Sequence, residues 1–294
     1  MSAYSQQSAN VRKTFILIFL FVGLVSALFY AFSAYYGNPI FAIFGLVISL
    51  GQAWVGYFYG DKVALLFAGA KEVDAKEAPQ LHFLVENLSK IADIPKPKVF
   101  ISPDPSANAF ACGRDPAHAS ICFNQGILNI LNKNELEGVM AHELSHIKNR
   151  DTLVMTMTMV LASLISFLAD IGFRMMWWGG GKSKDDDSKS PVIFIIYIVL
   201  LIIAPILSTL IQLAVSRSRE YLADATAVTF TRYPEGLIDA LQKLYSSPVP
   251  TNHYSTAMNH FYISPPKKAF GEKVSGWFST HPSIEERVQA LKKM

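Results

Sequence analysis

Two stretches near the N-terminal end of this chain carry no charged side chain and are each long enough to cross a lipid bilayer. They are Thr14 to Tyr36 and Asn38 to Gly60. A helix needs about 20 mostly apolar residues to traverse the hydrocarbon core. Little more than Gly37, Asn38 and Pro39 joins the two, which predicts a tight turn between antiparallel helices. A cleaved signal peptide is excluded by the length of the first span and its lack of a clear A-x-A-type cleavage site.

Two more spans follow. The third runs from Thr152 to about Trp178, with Asp170 and Arg174 marking the water interface and Trp177 and Trp178 suited to an interfacial belt. The fourth, Pro191 to Ser216, is uncharged, and Gly179 to Ser190 between them reads as a solvated loop. Composition agrees: 51% of residues are apolar and 17% charged, against about 25% charged in soluble domains. The deficit implies that lipid solvates part of the chain, making the bilayer a partner. The net charge of +3 is spread out. It supplies no concentrated basic face, so nucleic acid is not an expected partner.

Lys and Arg near the span ends set orientation. Arg12 and Lys13, Lys62 and Lys71, Lys148 and Arg150, and Arg217 and Arg219 all fall on one side of a four-span chain. The expected organisation is a cytoplasmic tail (1–13), a membrane hairpin (14–60), a cytoplasmic segment (61–151), a second hairpin (152–216) with an outer loop (179–190), and a second cytoplasmic segment (217–294). Both termini lie in the cytoplasm of a multi-pass protein.

In the first cytoplasmic segment, Leu81, Phe83, Leu84, Leu88 and Ile91 predict one face of a helix over 78–92. Lys98 to Ile101 and parts of Ala107 to Phe123 read as short strands, and Gly126 to Leu131 as a short buried piece. Cys112 and Cys122 are too few for a disulfide scaffold and read as small buried apolar residues of a reducing compartment. Asn134 with Glu137 resembles a capping box opening a helix. No proline intervenes before the third span, so one helix is expected to run from the cytoplasm into the bilayer. Later, 235–245 and 283–293 predict helices, and 246–275 an irregular Pro/Ser/Asn-rich stretch.

The capped helix carries His142-Glu143-Leu144-Ser145-His146. Histidines four apart share a helix face, and two imidazoles so placed can reach one tetrahedral zinc ion. Glu143 points slightly around the helix, where it reaches the attacking water rather than the metal. A catalytic zinc site needs a third protein ligand. The fourth span ends in Ser216-Arg217-Ser218-Arg219-Glu220-Tyr221-Leu222-Ala223-Asp224. Antiparallel neighbouring spans bring Glu220 beside the two histidines, and Asp224, one turn on, can hold a ligand imidazole by its N–H.

The H-E-x-x-H motif with the downstream R-E-Y-x-A-D resembles the M48 family of membrane zinc metalloproteases, and the placement of the spans resembles its HtpX branch. The resemblance implies a mainly α protein: four membrane helices and a cytoplasmic zincin-like (gluzincin) α+β catalytic domain with a small sheet. It implies one Zn2+ per chain on His142, His146 and Glu220, with Glu143 as catalyst. The implied activity is cleavage of misfolded or damaged membrane proteins at a cell membrane. Ser106 to Gly113 is similar to the family's strand beside the active site, so Asn108, Ala109 and Phe110 are expected to hold substrate backbone by strand addition. His281-Pro282 and Arg287 resemble the family's C-terminal element, in which His281 donates to the oxyanion and Arg287 supports it. The competing reading is a latent or non-catalytic membrane scaffold that binds zinc.

Overall fold

In the computed structural model the chain is described over residues 3–163, 217–247, 249, 263 and 282–294. Most of the third span, the whole fourth span, the loop 179–190, most of 246–275 and His281 therefore lie outside the described residues.

Helix α1 (Ala3–Tyr36) and helix α2 (Ile40–Phe67) form an antiparallel hairpin. Both are long and apolar enough to cross a membrane. Their burial is inverted relative to a soluble protein. Along α2 the buried residues are nearly all small: Gly45, Ser49, Ala53, Gly56, Gly60 and Ala64, with Leu65. Large apolar side chains such as Ile43, Phe44, Val47, Leu50 and Trp54 face outward. A stripe of small residues lets helix backbones approach closely where no hydrophobic force drives association, and the bulky exterior suits lipid. Gly45 receives Phe29 of α1, and Gly60 receives Thr156 from farther along the chain.

A four-stranded mixed sheet follows, in the order β1-β2-β4-β3. Strand β1 (Lys71–Glu72) pairs antiparallel with β2 (Lys98–Ser102), which runs parallel to β4 (Ala119–Asn124), and β3 (Ala109–Gly113) closes one edge antiparallel to β4. Helix α3 (Pro79–Ala92) buries Leu81, Leu84, Val85, Leu88 and Ala92. This stripe differs from the expected one, since Phe83 and Ile91 are exposed. At 100° per residue Val85 and Ala92 lie with Leu81 and Leu88, whereas Phe83 points well away from them. The left-handed Asp93 (φ 54°) stops the helix before Pro95.

Helix α4 (Gln125–Ile130) leads into α5 (Lys133–Lys148). Its capping box uses Asn132 and Glu135, two residues earlier than expected. The run Asn132-Lys133-Asn134-Glu135-Leu136-Glu137 contains the N-x-x-E pattern twice. The tertiary structure selects the first copy by burying Glu135 against Lys243, 2.7 Å away.

The chain does not run as one helix from α5 into the third span. Helix α5 ends at Lys148, Arg150 adopts φ 57°, and a separate helix α6 (Asp151–Ser163) begins there. Helix α6 is buried along nearly its whole length. Leu153, Met157 and Leu161 pack against Phe21 and Val25 of α1. Met155, Met159 and Val160 join Phe110, Cys112 and Cys122 of the sheet to Ala64 and Leu65 of α2. Thus α6 ties the membrane hairpin to the sheet. Helices α7 (Arg217–Thr231) and α8 (Pro234–Ser246) pack on α5, and the short α9 (Ile284–Leu291) packs on both.

Candidate active site

The site forms where α5, α7 and α9 meet. On α5, His142, Glu143 and His146 are all buried. One helical turn brings Nε2 of His142 and Nε2 of His146 to 3.1 Å. The first turn of α7 brings in Glu220, whose Oε2 lies 3.8 Å from His142 Nε2 and Oε1 3.7 Å from His146 Nε2. The two helices are held in register by Ser145, whose hydroxyl donates to His142 O at 2.7 Å and to Ala223 O at 3.3 Å.

Each histidine is oriented from behind. Asp224 Oδ1 lies 2.9 Å from His142 Nδ1, and Asp151 Oδ2 lies 2.9 Å from His146 Nδ1. A carboxylate can only accept, so each ring carries its proton on Nδ1 and turns its Nε2 lone pair toward the other ring. Two lone pairs 3.1 Å apart repel unless a proton on one ring or a metal ion lies between them. A tetrahedral zinc site with bonds of about 2.0–2.1 Å spaces neighbouring donor atoms roughly 3.3–3.4 Å apart; the two Nε2 atoms stand 3.1 Å apart, and Glu220 turns one oxygen to each, at 3.8 and 3.7 Å. At His146 charge points the same way, whereas burial and the Arg287 cation lower His142. Burial alone would lower His146, but Asp151, Glu220 and Glu143 raise it to about 9; a field that favours a proton on this ring also favours a metal cation. The residues present fit a zinc ion. His142, His146 and Glu220 are the cluster whose ligand atoms all lie within 4.8 Å of one another among the described residues.

Arg287 of α9 completes the back wall. Its Nε donates to Asp224 Oδ2 at 2.9 Å and its Nη2 to Asp224 Oδ1 at 2.6 Å. Nη1 donates to Ile263 O at 3.1 Å and stands 3.7 Å from Glu220 Oε2. Burial works to raise the Asp224 carboxyl, yet Arg287 and the hydrogen bond to His142 hold it below the usual carboxylate range. The structure thus places Arg287 behind Asp224, the carboxylate that faces His142. The expected contact between Arg287 and His281 involves a residue outside the described set.

Glu143 lies on the side of α5 that faces the sheet edge. Burial pushes its carboxyl up to about 7, Glu220 adds to the rise, and the backbone N–H of Ala111 in β3 is among the groups opposing it. Ala111 and Gly113 share the outer edge of β3, since alternate residues present their N–H groups to the same side. Ala111 N–H is engaged by Glu143 and Gly113 N–H by Thr156 Oγ1 at 3.2 Å. Asn108, Ala109 and Phe110 are buried. Phe110 packs toward α2 and α6, and the Ala109 N–H donates to the Asn108 side chain.

Asp151 carries a role that the sequence does not announce. Five residues beyond His146, it would sit on another face of a continuous helix, and only the break at Arg150 turns it back to the imidazole. The pairing of Arg287 with Asp224 spans 63 positions and has no local signal either.

Comparison with known proteins agrees with this geometry. The sequence matches Peptidase family M48 over residues 75–294. It is 44% identical over 295 residues to a protease HtpX homolog of Caldanaerobacter subterraneus subsp. tengcongensis, covering 99% of this chain and 97% of that protein. It is 41% identical to the protease HtpX homolog of Streptococcus pneumoniae strain P1031, covering 99% of both. The fold resembles the crystal structure of Ste24p from S. mikatae with a TM-score of 0.51 at 19% identity, over 98% of this chain and 67% of that one. With its two apolar helices and its buried H-E-x-x-H cluster, the chain belongs to peptidase family M48 and is a membrane metalloprotease.

Proposed function

We propose that the protein is a zinc-dependent endopeptidase that cleaves misfolded or damaged membrane proteins from the cytoplasmic face of a cell membrane. Four spans, with both termini and the site on the cytoplasmic side, complete this reading. The observation that carries it is the convergence of His142, His146 and Glu220, with both Nδ1 atoms fixed by carboxylates. Bound there, the ion supplies Lewis acidity to the scissile carbonyl and the attacking water.

The chain's own residues do the rest. Glu143, raised toward neutrality by burial, takes the proton of the attacking water and passes it to the leaving amine. His281 donates to the developing oxyanion. Asp224 and Asp151 keep the two imidazoles in the ligating tautomer, and Arg287 fixes Asp224. Substrate backbone lies extended beside the Asn108–Phe110 end of β3. The uncharged part of α1 begins at Thr14, four residues past the buried Asn10 beside the metal helix, or about 6 Å along a helix axis. The site is therefore close to the bilayer surface, which favours substrates held in or near it.

The test is casein cleavage by detergent-purified protein that has been stripped by a chelator and then given zinc, beside Glu143→Gln. Zinc-restored cleavage by the wild type alone is expected, with the variant still binding zinc. Equal turnover by the variant would remove Glu143 from the chemistry. Zinc bound with no cleavage by either protein would favour the latent or non-catalytic scaffold.

A further inference from the structure

The metal helix ends against the first membrane helix, and that contact reaches the ligand. The last carbonyls of an α-helix have no intrahelical partners. At the end of α5, two such carbonyls are met from α1. Gln7 Nε2 donates to Lys148 O at 2.8 Å, and Asn10 Nδ2 donates to Asn149 O at 3.0 Å. Three residues apart, Gln7 and Asn10 share a face of α1.

Asn10 does more than cap. The second hydrogen of its amide goes to Asp151 Oδ1 at 2.7 Å, so both hydrogens of this buried group are used. Asp151 presents its other oxygen, Oδ2, to His146 Nδ1 at 2.9 Å. Among the described residues, Arg219 Nε stands 3.9 Å from Oδ1, and the Lys13 ammonium is also close enough to act on Asp151. With Asn10 in place, the carboxylate is fixed at both oxygens. Removing that amide takes away the hydrogen bond that holds Oδ1, leaving Arg219 and Lys13 to compete with the imidazole for the carboxylate.

We propose that Asn10 is a positioning residue for the metal ligand His146, acting through Asp151, so that the first turns of the N-terminal helix are part of the metal site. The proposal rests on the reading of His142, His146 and Glu220 as that site. Partners that orient metal-bound histidines typically contribute 10–100-fold to affinity, and Asn10 stands one hydrogen bond further out. The expected effect of Asn10→Ala is therefore at the lower end, about a tenfold faster release of zinc.

The experiment loads the full-length protein in detergent with zinc and follows its transfer to a chromophoric chelator. Wild type, Asn10→Ala, Asp151→Ala, the double variant and Glu220→Ala are compared. Support is about tenfold faster release from Asn10→Ala, with no further acceleration when it is added to Asp151→Ala, because the two act in series. Release unchanged from wild type would overturn the proposal. So would an equal effect in the presence and absence of Asp151, the mark of a merely structural role. Should Asn10→Ala fail to fold, Asn10→Leu keeps the volume and removes the donor, and the same outcomes apply. A wild type that retains no zinc, or a Glu220→Ala that retains it equally, sinks the metal-site reading and this inference with it. Loss on Glu220→Ala but not on Asn10→Ala sinks this inference alone.

Discussion

Arg287 and Asp224, 63 positions apart, meet in a buried bidentate pair whose carboxylate also lies 2.9 Å from His142 Nδ1. Because the pair is buried, removing one partner leaves an uncompensated charge, which costs several kcal/mol. Lysine lacks the planar fork that makes both bonds. Arg287→Lys is therefore expected to lower kcat/KM by about 10–100-fold and to weaken zinc binding by a similar factor. Peptidase kinetics and chelator competition check this together; wild-type zinc affinity would remove Arg287 from the support of His142.

Burial raises Glu143 from 4.5 to about 7. A general base must be ionised, so activity falls as pH drops through its pKa. A bound cation favours the ionised form and moves that pKa down. The expected acid limb of kcat/KM lies between pH 4.5 and about 7, with a tenfold loss per unit below its midpoint. A pH–rate profile on zinc-saturated enzyme checks it; a flat profile to below 4.5 would show that another group carries the proton.

Cys112 and Cys122 are free and buried. Burial pushes both thiols well above their ordinary range, and for Cys112 the nearby Asp61 adds to the rise. The thiolate is the reactive form. Neither thiol is expected to react with a maleimide in the native protein during a time that labels free cysteine fully, and both react after denaturation. Intact-mass measurement counts the adducts.

Gly138 lies where α5 crosses α8. A Cβ added there would stand 2.7 Å from Leu237 N and 2.9 Å from Leu237 Cα. These are backbone atoms, so the helices must separate. Gly138→Ala is expected to destabilise the protein by about 1–3 kcal/mol, seen as a melting temperature lower by on the order of 5 °C. An unchanged melting point would show that the α5–α8 crossing is not tight.

Much of the site was legible because its signals are local. His142 and His146 are one helical turn apart, and Glu220 with Asp224 repeat that spacing, so each pair reads as one face of one helix. Strands β2, β3 and β4 and helices α8 and α9 likewise follow local pattern, as does the extent of α3 though not its buried face. The misreadings came where two local solutions compete. Asn132–Glu135 and Asn134–Glu137 are equal as capping boxes until Lys243 buries Glu135. The continuous helix predicted through Lys148 is broken at Arg150 by a left-handed residue that no glycine or proline announces.

By itself the sequence determined that two helices are long and apolar enough to cross a membrane, that a metal-binding motif lies outside those two helices, and which residue types could do the chemistry. Uncharged length and i, i+4 spacing are properties of a single segment. Only the tertiary structure decided what stands behind those residues: Asp151 turned back onto His146, Arg287 clamped on Asp224, and Asn10 fixed against Asp151. Each of these joins segments by hydrogen bonds whose partners are set by the packing of whole helices, and no periodicity along the chain encodes which helices will meet.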